Sequence, residues 1–194
     1  LNKQSQCSKP LILKKTAQPF KNTIFPYDKQ MLSKLAGRII YYEASRGCKF
    51  NCSYCLSALN PETKTDYRTQ NQINNEISIL NNFQGTVKFV DRTFNSNKEV
   101  SRYIWKLMAK NPPAGCFHFE LHPMLLQDED LELLKKLKPG TARFEIGIQS
   151  TDSAVLKNVN RPDIFTYSSE MIQRLKESIT TTPATTGRAR TARC

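Results

Sequence analysis

The sequence lacks a long hydrophobic run and clustered charge of one sign. No run approaches the roughly 20 apolar residues that a membrane span needs, and no charged-then-apolar pattern follows Leu1. The 29 Lys and Arg residues outnumber the 17 Asp and Glu residues, which gives a net charge of +12. Because these charges are scattered and no helix face collects them, we expect neither a membrane span nor a nucleic-acid partner.

Disulfide and zinc patterns are also missing, although the chain has six cysteines. Three of them fall within eight residues, at Cys48, Cys52 and Cys55. Without a secretion signal, this crowding favours thiolates that hold a metal in a reducing, cytoplasmic setting. Structural zinc sites show paired C-x₂-C units or nearby histidines, and the next candidates after Cys55 lie more than sixty residues downstream, at Cys116, His118 and His122.

The three cysteines have the spacing C-x₃-C-x₂-C. Three thiolates on such a loop can bind a cubane iron–sulfur cluster, each at a different iron. Cubane clusters usually have four cysteine ligands, and no fourth cysteine follows locally. The spacing therefore favours a catalytic cluster with one open iron over a ferredoxin-like electron carrier. Gly47 is expected to let the backbone approach the cluster.

A repeated strand–helix order defines the fold class. Residues 1–35, with three prolines, are predicted to be an irregular linker. Strands are predicted at 39–45, 86–91, 117–122 and 142–149, and amphipathic helices at 69–83, 100–108, 128–137 (capped by Asp128) and 164–176. This order predicts an α/β fold, a partial (βα) barrel or open parallel sheet, over residues 36–177. The Thr- and Arg-rich residues 178–194 are predicted to be disordered.

Strand alternation predicts an apolar face towards the helices and a polar face towards a lumen. In the third strand the apolar set is Phe117, Phe119 and Leu121, and the polar set is His118, Glu120 and His122. In the fourth strand Phe144, Ile146 and Ile148 oppose Glu145, Gly147 and Gln149. The carboxyl ends of the strands would bring Cys48, Asp91, His122 and Gln149 to one mouth, where such folds bind ligands.

These motifs together resemble the radical S-adenosylmethionine (SAM) superfamily. The motif C-x₃-C-x-aromatic-C follows the first strand, with Tyr54 as the aromatic residue. Residues 42–48, 89–95 and 144–150 read YEASRGC, FVDRTFN and FEIGIQS, and are similar to the branch that carries an N-terminal cobalamin-binding domain. The likeness covers residues 24–177, and the D-x-H-x-x-G motif of a cobalamin domain does not occur in the sequence.

The resemblance implies a 4Fe-4S cluster on the three cysteines, with SAM bound to the open iron and cleaved to methionine and a 5′-deoxyadenosyl radical. It implies Asp91 as the acceptor for the SAM ammonium, and Glu145 and Gln149 at the ribose or carboxylate. It also implies Arg161 at the carboxylate and Tyr54 in the cofactor site. A flavodoxin or ferredoxin would supply electrons. In the full-length protein, a cobalamin domain would add methyl transfer or ring formation.

Two other functions stay open from the sequence. Complete members of the superfamily have more βα units than these four, so the resemblance implies a truncated core that binds a cluster poorly and cleaves little SAM. One alternative is therefore a catalytically inactive fragment that binds a cluster or zinc. The other is a tRNA-modifying methylthiotransferase, which the positive charge favours, although neither a second cluster site nor an RNA-binding domain is visible.

Overall fold

The computed structural model describes residues 20–59, 65–162 and 165–180. The part of the predicted linker from residue 20 onwards is not wholly irregular. It contains a 3₁₀ turn at Phe20–Asn22 and helix α1 (Lys29–Lys34), whose cap, Asp28, accepts a hydrogen bond from the Met31 N–H. Residues 1–19 of the linker and residues 181–194 of the tail lie outside the described residues.

The fold is built on a parallel four-stranded sheet. The strands in chain order are β1 (Ile39–Tyr42), β2 (Ser45–Arg46), β3 (Asp66–Tyr67), β4 (Thr86–Phe89), β5 (Cys116–Leu121) and β6 (Ala142–Ile146). The main sheet has the order β1-β4-β5-β6 with every pair parallel, and β2 pairs with β3 antiparallel in a separate two-stranded sheet. This confirms the predicted α/β partial barrel.

All four sheet strands end one to three residues earlier than the sequence predicts, and beyond two of them, β1 and β6, the backbone bonds to side chains. Beyond β1, the Ala44 N–H donates to the Asp91 carboxylate at 3.0 Å. Beyond β6, the Gly147 carbonyl accepts from the Arg161 guanidinium at 2.6 Å. The backbone beyond these two strands therefore bonds to side chains at the carboxyl edge of the sheet.

Helices follow the strands as the periodicity predicts. They are α2 (Gln70–Leu80), α3 (Lys98–Lys110), α4 (Asp128–Leu134), α5 (Ser153–Asn158) and α6 (Phe165–Thr180). The prediction that Asp128 caps its helix is wrong: the cap is Gln127, whose N–H donates to the Asp130 carboxylate at 2.9 Å. Helix α5 was not predicted, and α6 extends past residue 177, with Ser178 buried.

The core lies between the helices and one face of the sheet. On β5, Phe117 and Phe119 are fully buried and Leu121 is 5% exposed, which confirms the predicted apolar face. Trp105 of α3 packs edge-on against Phe119, with ring centroids 6.4 Å apart. Burial of each such side chain stabilises the fold by about 1.5–3 kcal/mol. The packing of the helices on the sheet therefore stabilises the strands whose carboxyl ends carry the predicted site.

The opposite face of the sheet is polar, as predicted. Lys88 of β4 places its Nζ atom 3.4 Å from the carboxylates of both Glu120 and Glu145. The His118 Nε2 atom lies 3.2 Å from the Glu145 carboxylate. These groups come from three adjacent strands, so the lumen side of the sheet carries a charged layer instead of a packed apolar core.

A buried ion pair fixes the point where the chain leaves β1. Arg68 and Glu76, whose side chains are 4% and 8% exposed, pair at 2.9 Å. The Tyr42 hydroxyl donates to Glu76 at 2.8 Å, and the Arg68 Nε atom donates to the Glu43 carbonyl at 2.9 Å. Burial raises the pKa of Glu76, while Tyr42 and Arg68 oppose the shift.

Within the described ranges, no helix is long and apolar enough to cross a membrane.

Candidate active site

The three clustered cysteines lie on the loop that follows β2. Cys52 is 6% exposed and Cys48 and Cys55 are half-buried, and all three thiols are free. The Cys55 N–H donates to the Cys52 carbonyl at 3.0 Å, which turns the loop between these residues. All three line one cavity of about 220 Å³ at the carboxyl ends of the strands. The sequence prediction that they face the mouth of the sheet agrees with this position.

Gly47 shapes the start of this loop. Its φ angle of 110° is one that residues with a side chain rarely adopt. A Cβ atom added there would lie 3.1 Å from the Cα atom of Thr65. Glycine is therefore required by the backbone conformation and by the neighbouring chain, a different reason from the expected approach to a cluster.

The loop is fastened to the segment that follows α5. The Ser53 N–H donates to the Val159 carbonyl at 2.9 Å, and the Asn160 side-chain amide donates to the Ser53 hydroxyl at 3.1 Å. Asn160 has a φ angle of 52°, a conformation that asparagine tolerates better than most residues. Residues more than one hundred positions apart in the chain thus form one wall of the cavity.

Arg161 and Tyr54, which the sequence singled out separately, meet in that wall. The Arg161 guanidinium donates to the Tyr54 hydroxyl at 2.9 Å and lies 3.9 Å from the Cys52 Sγ atom. Burial raises the pKa of Tyr54, while the Arg161 charge opposes the shift. The guanidinium therefore links the loop to β6 through the Gly147 carbonyl.

Glu145 and Gln149 also line the cavity. Gln149 has a φ angle of 65°, and its side chain folds over Gly147: a Cβ atom at Gly147 would lie 2.8 Å from the Gln149 Nε2 atom. The Glu145 side chain is 55% exposed and is bound by Lys88 and His118. The structure therefore brings together four of the five residues predicted at the cofactor: Tyr54, Glu145, Gln149 and Arg161.

Asp91 is the predicted cofactor residue that does not line the cavity. It is 1% exposed, and its two carboxylate oxygens accept from the Ala44 N–H at 3.0 Å and the Ser45 hydroxyl at 2.5 Å. Burial raises its pKa to about 6 although these hydrogen bonds oppose the shift. Asp91 thus joins the segments that follow β1 and β4, and its contact with the SAM ammonium stays a prediction.

Residues just beyond Asp91 line the cavity instead. The Thr93 hydroxyl lies 3.5 Å from the Cys48 Sγ atom, and Arg92 lines the cavity beside it. Sequence reasoning missed both residues, although their position directly after a strand end was a signal that could have found them.

His122 and Phe50 complete the wall next to the cysteines. Their rings stack with centroids 4.3 Å apart and an interplanar angle of 26°. His122 is 4% exposed. Burial lowers its pKa to about 4, and the charges of Arg161 and Lys49 add to the shift, so the ring is neutral at pH 7. The sequence placed His122 at the mouth without giving it a role.

The thiols present a donor set that fits a cubane cluster. Among the described residues, no three His, Cys, Asp or Glu side chains are grouped so that they could hold a metal ion. In a cubane each thiolate binds a different iron, so convergence on one atom is not required, whereas a zinc centre needs it. The Thr93 hydroxyl and Arg161 guanidinium lie near cysteine sulfurs, where neighbouring polar groups tune a cluster.

Solved structures with the same fold were found by comparison. One is a radical SAM methyltransferase, TsrM, from Kitasatospora setae with cobalamin and a 4Fe-4S cluster bound; it has a TM-score of 0.56 and 18% identity over 73% of this chain and 28% of that one. Another is OxsB, a cobalamin-dependent SAM radical enzyme with aqua-cobalamin and SAM bound, with a TM-score of 0.58 and 15% identity over 76% of this chain and 23% of that one. This chain thus spans about a quarter of either protein. No curated protein matches the sequence.

A sequence profile gives the family directly. The profile of the Radical SAM superfamily matches residues 42–188, which include all three clustered cysteines and every residue described in the cavity wall. The match covers well over half of the chain, and the fold of the solved structures agrees with it. The chain belongs to the radical SAM superfamily.

Proposed function

We propose that residues 36–177 form the cluster- and SAM-binding core of a radical SAM enzyme. The observation that carries the proposal is the shared cavity: three free thiols and the side chains of Tyr54, Glu145, Gln149 and Arg161 line one space at the carboxyl ends of parallel strands. When bound, a 4Fe-4S cluster with one open iron supplies an electron that cleaves SAM to methionine and a 5′-deoxyadenosyl radical. A flavodoxin or ferredoxin is the proposed electron donor.

The residues of the cavity have distinct proposed tasks. Cys48, Cys52 and Cys55 hold the cluster. Arg161 is the cation for the SAM carboxylate, because a guanidinium forms strong, directional bonds with carboxylates. It is already oriented by the Gly147 carbonyl at 2.6 Å.

Two side chains suit the ribose hydroxyls of SAM. The carboxylate of Glu145 accepts hydrogen bonds, and the amide of Gln149 both donates and accepts them. The Lys88 Nζ atom lies 3.4 Å from the Glu145 carboxylate, and the His118 Nε2 atom lies 3.2 Å from it. Glu145 is thereby oriented before a ligand arrives, which reduces the conformational freedom lost on binding.

We propose further that the protein acts with cobalamin, in methyl transfer or in ring formation. The support is the shared fold with TsrM and OxsB, both of which are described with cobalamin bound, and the sequence likeness at residues 42–48, 89–95 and 144–150. Cobalamin absorbance that copurifies with the native protein from its source cells would support this part of the proposal, and native, active protein free of cobalt would overturn it.

The test of the core function is anaerobic reconstitution with iron and sulfide. We expect about four iron and four sulfide per chain, and a change in the electron paramagnetic resonance spectrum of the reduced cluster when SAM is added. Cys48→Ala, Cys52→Ala and Cys55→Ala should each lose the cluster, because three ligands are the fewest that leave a single iron open.

Cys116→Ala is the matched control. Cys116 is also free and half-buried, but it lies on β5 outside the cavity. This variant should reconstitute like the parent. One zinc per chain without sulfide, or a SAM-insensitive spectrum in the parent, would contradict the proposed function.

A further inference from the structure

His122 combines deep burial with polar atoms that no protein group satisfies. Its exposure is 4%, and within the described part of the chain neither ring nitrogen has a hydrogen-bond partner. Buried polar side-chain atoms are nearly always paired, and an unpaired one destabilises the fold. Both ring nitrogens of His122 are therefore available to hydrogen-bond a group that does not belong to the protein.

The orientation of the His122 ring is fixed by its surroundings. Asn95 binds the His122 backbone on both sides: its Oδ1 atom accepts from the His122 N–H at 2.9 Å, and its Nδ2 atom donates to the His122 carbonyl at 3.0 Å. The ring itself stacks on Phe50. Packing alone does not explain a histidine here, since a phenylalanine would stack as well without burying polar atoms.

The residue that carries these unpaired atoms lines the same cavity as the cysteines. His122 lines the cavity together with Cys48, Cys52 and Arg161. The Nε atom of Arg161 is also buried without a partner among the described residues. Two side chains of one cavity thus keep free hydrogen-bonding capacity, whereas the buried polar side chain of Asp91, outside the cavity, is fully paired.

We propose that His122 is a SAM-binding residue whose ring hydrogen-bonds the ligand in this cavity. The inference rests on the proposed function, because SAM is the ligand that function requires. A neutral imidazole offers one donor and one acceptor, which suits the hydroxyl and amino groups of SAM. It also adds no positive charge next to the sulfonium. The structure therefore assigns a binding role to His122, in addition to those of Glu145, Gln149 and Arg161.

The experiment measures SAM affinity and thermal stability of the anaerobically reconstituted chain. In His122→Phe the stack on Phe50 is kept and both ring nitrogens are removed. We expect the SAM Kd to rise about tenfold or more, since bound ligand groups lose a partner, while iron content stays at the parent level. Without SAM, Tm should rise above that of the parent, because unpaired buried atoms are gone, and the SAM-induced rise in Tm should shrink.

Two further variants make the result specific. His122→Gln keeps a polar group, so its SAM Kd should lie between those of the parent and His122→Phe; it also carries the test if His122→Phe does not take up iron. Trp105→Phe removes the Nε1 atom of Trp105, which is likewise buried without a partner in the described structure but lies in the core away from the cavity, and its SAM Kd should be unchanged.

The outcomes separate the inference from the function on which it rests. A parent that binds SAM together with a His122→Phe variant of equal Kd and intact iron would overturn the role of His122 and leave the proposed function standing. A lower Tm with an unchanged SAM-induced shift would also overturn it, since that is the behaviour of a purely structural histidine. A reconstituted parent that binds no SAM would overturn both.

Discussion

Arg161 joins three parts of the site through a single guanidinium. One nitrogen donates to the Gly147 carbonyl beyond β6, and another reaches the Tyr54 hydroxyl and the Cys52 sulfur on the cysteine loop. The fixed, planar fork of arginine makes this geometry possible, and a lysine ammonium on its flexible stem does not reproduce it. The charge and the shape of the residue therefore have separable effects.

Arg161→Lys tests that separation. We expect iron content near that of the parent, because no cysteine is changed, and a SAM Kd about tenfold higher, because the positioned cation for the carboxylate is lost. Equilibrium dialysis with anaerobic protein measures the Kd. Arg174→Lys is the control, since Arg174 pairs with Asp128 on the surface, away from the cavity. Equal Kd values for the two variants would refute the role of the guanidinium shape.

At the scale of elements, the cysteine loop is held at its start and at its middle. Its start is fixed by the β2–β3 pair and by Gly47, and its middle is fastened to residues 159–161. The buried Arg68–Glu76 pair secures the same region against α2. Such support from rigid elements is what keeps three thiols near a common cavity before any metal is bound.

Gly47→Ala should loosen this loop selectively. The substitution forces a side chain into a φ of 110° and places a Cβ atom 3.1 Å from Thr65, so we expect less iron per chain after reconstitution. Gly140→Ala is a matched control, because Gly140 has a φ of 80° with nothing within 4 Å of an added Cβ. Both variants should lose about 1 kcal/mol of stability from backbone strain. Only Gly47→Ala should lose iron, and equal iron content in the two variants would contradict the prediction.

For the whole molecule, two buried groups make the stability depend on pH in opposite senses. Folded Asp91 has a pKa raised to about 6 from 3.8, so its stabilising contribution is lost as the pH rises through this window. Folded His122 has a pKa lowered to about 4 from 6.5, so its contribution is lost as the pH falls through that window. The two windows overlap, and the effects largely offset each other in the parent.

Removing one of these two groups should reveal the pH dependence of stability that the other group causes. Relative to the parent, Asp91→Asn should become less stable as the pH falls from 6 to 4, and His122→Phe should become more stable as the pH falls from 6.5 to 4. Each difference should reach about 3 kcal/mol, since one pKa unit corresponds to about 1.4 kcal/mol. Urea unfolding of the cluster-free chain at a series of pH values measures it. Stability curves parallel to that of the parent would show that these two groups do not titrate as described.

Most of the fold could be predicted from local pattern. The alternation in β5 and the helical period in α2 and α3 appear in the structure on the expected faces, because burial of one face imposes those periods on the sequence. Helix α5 escaped prediction because its six residues are too short for a period to show. The cap of α4 was misplaced because Gln127, Asp128 and Asp130 all offer polar groups there.

The sequence by itself determined the family and the parallel sheet, and it placed three cysteines together on one loop, because spacing along the chain carries all three. It could not determine which strand-end residues reach the cavity. Asp91 and Thr93 are two positions apart, yet one is bonded inside the wall and the other lies beside Cys48. The contact of Arg161 with Tyr54 joins positions 107 residues apart. Such choices depend on distances across the fold, and only the tertiary structure sets them.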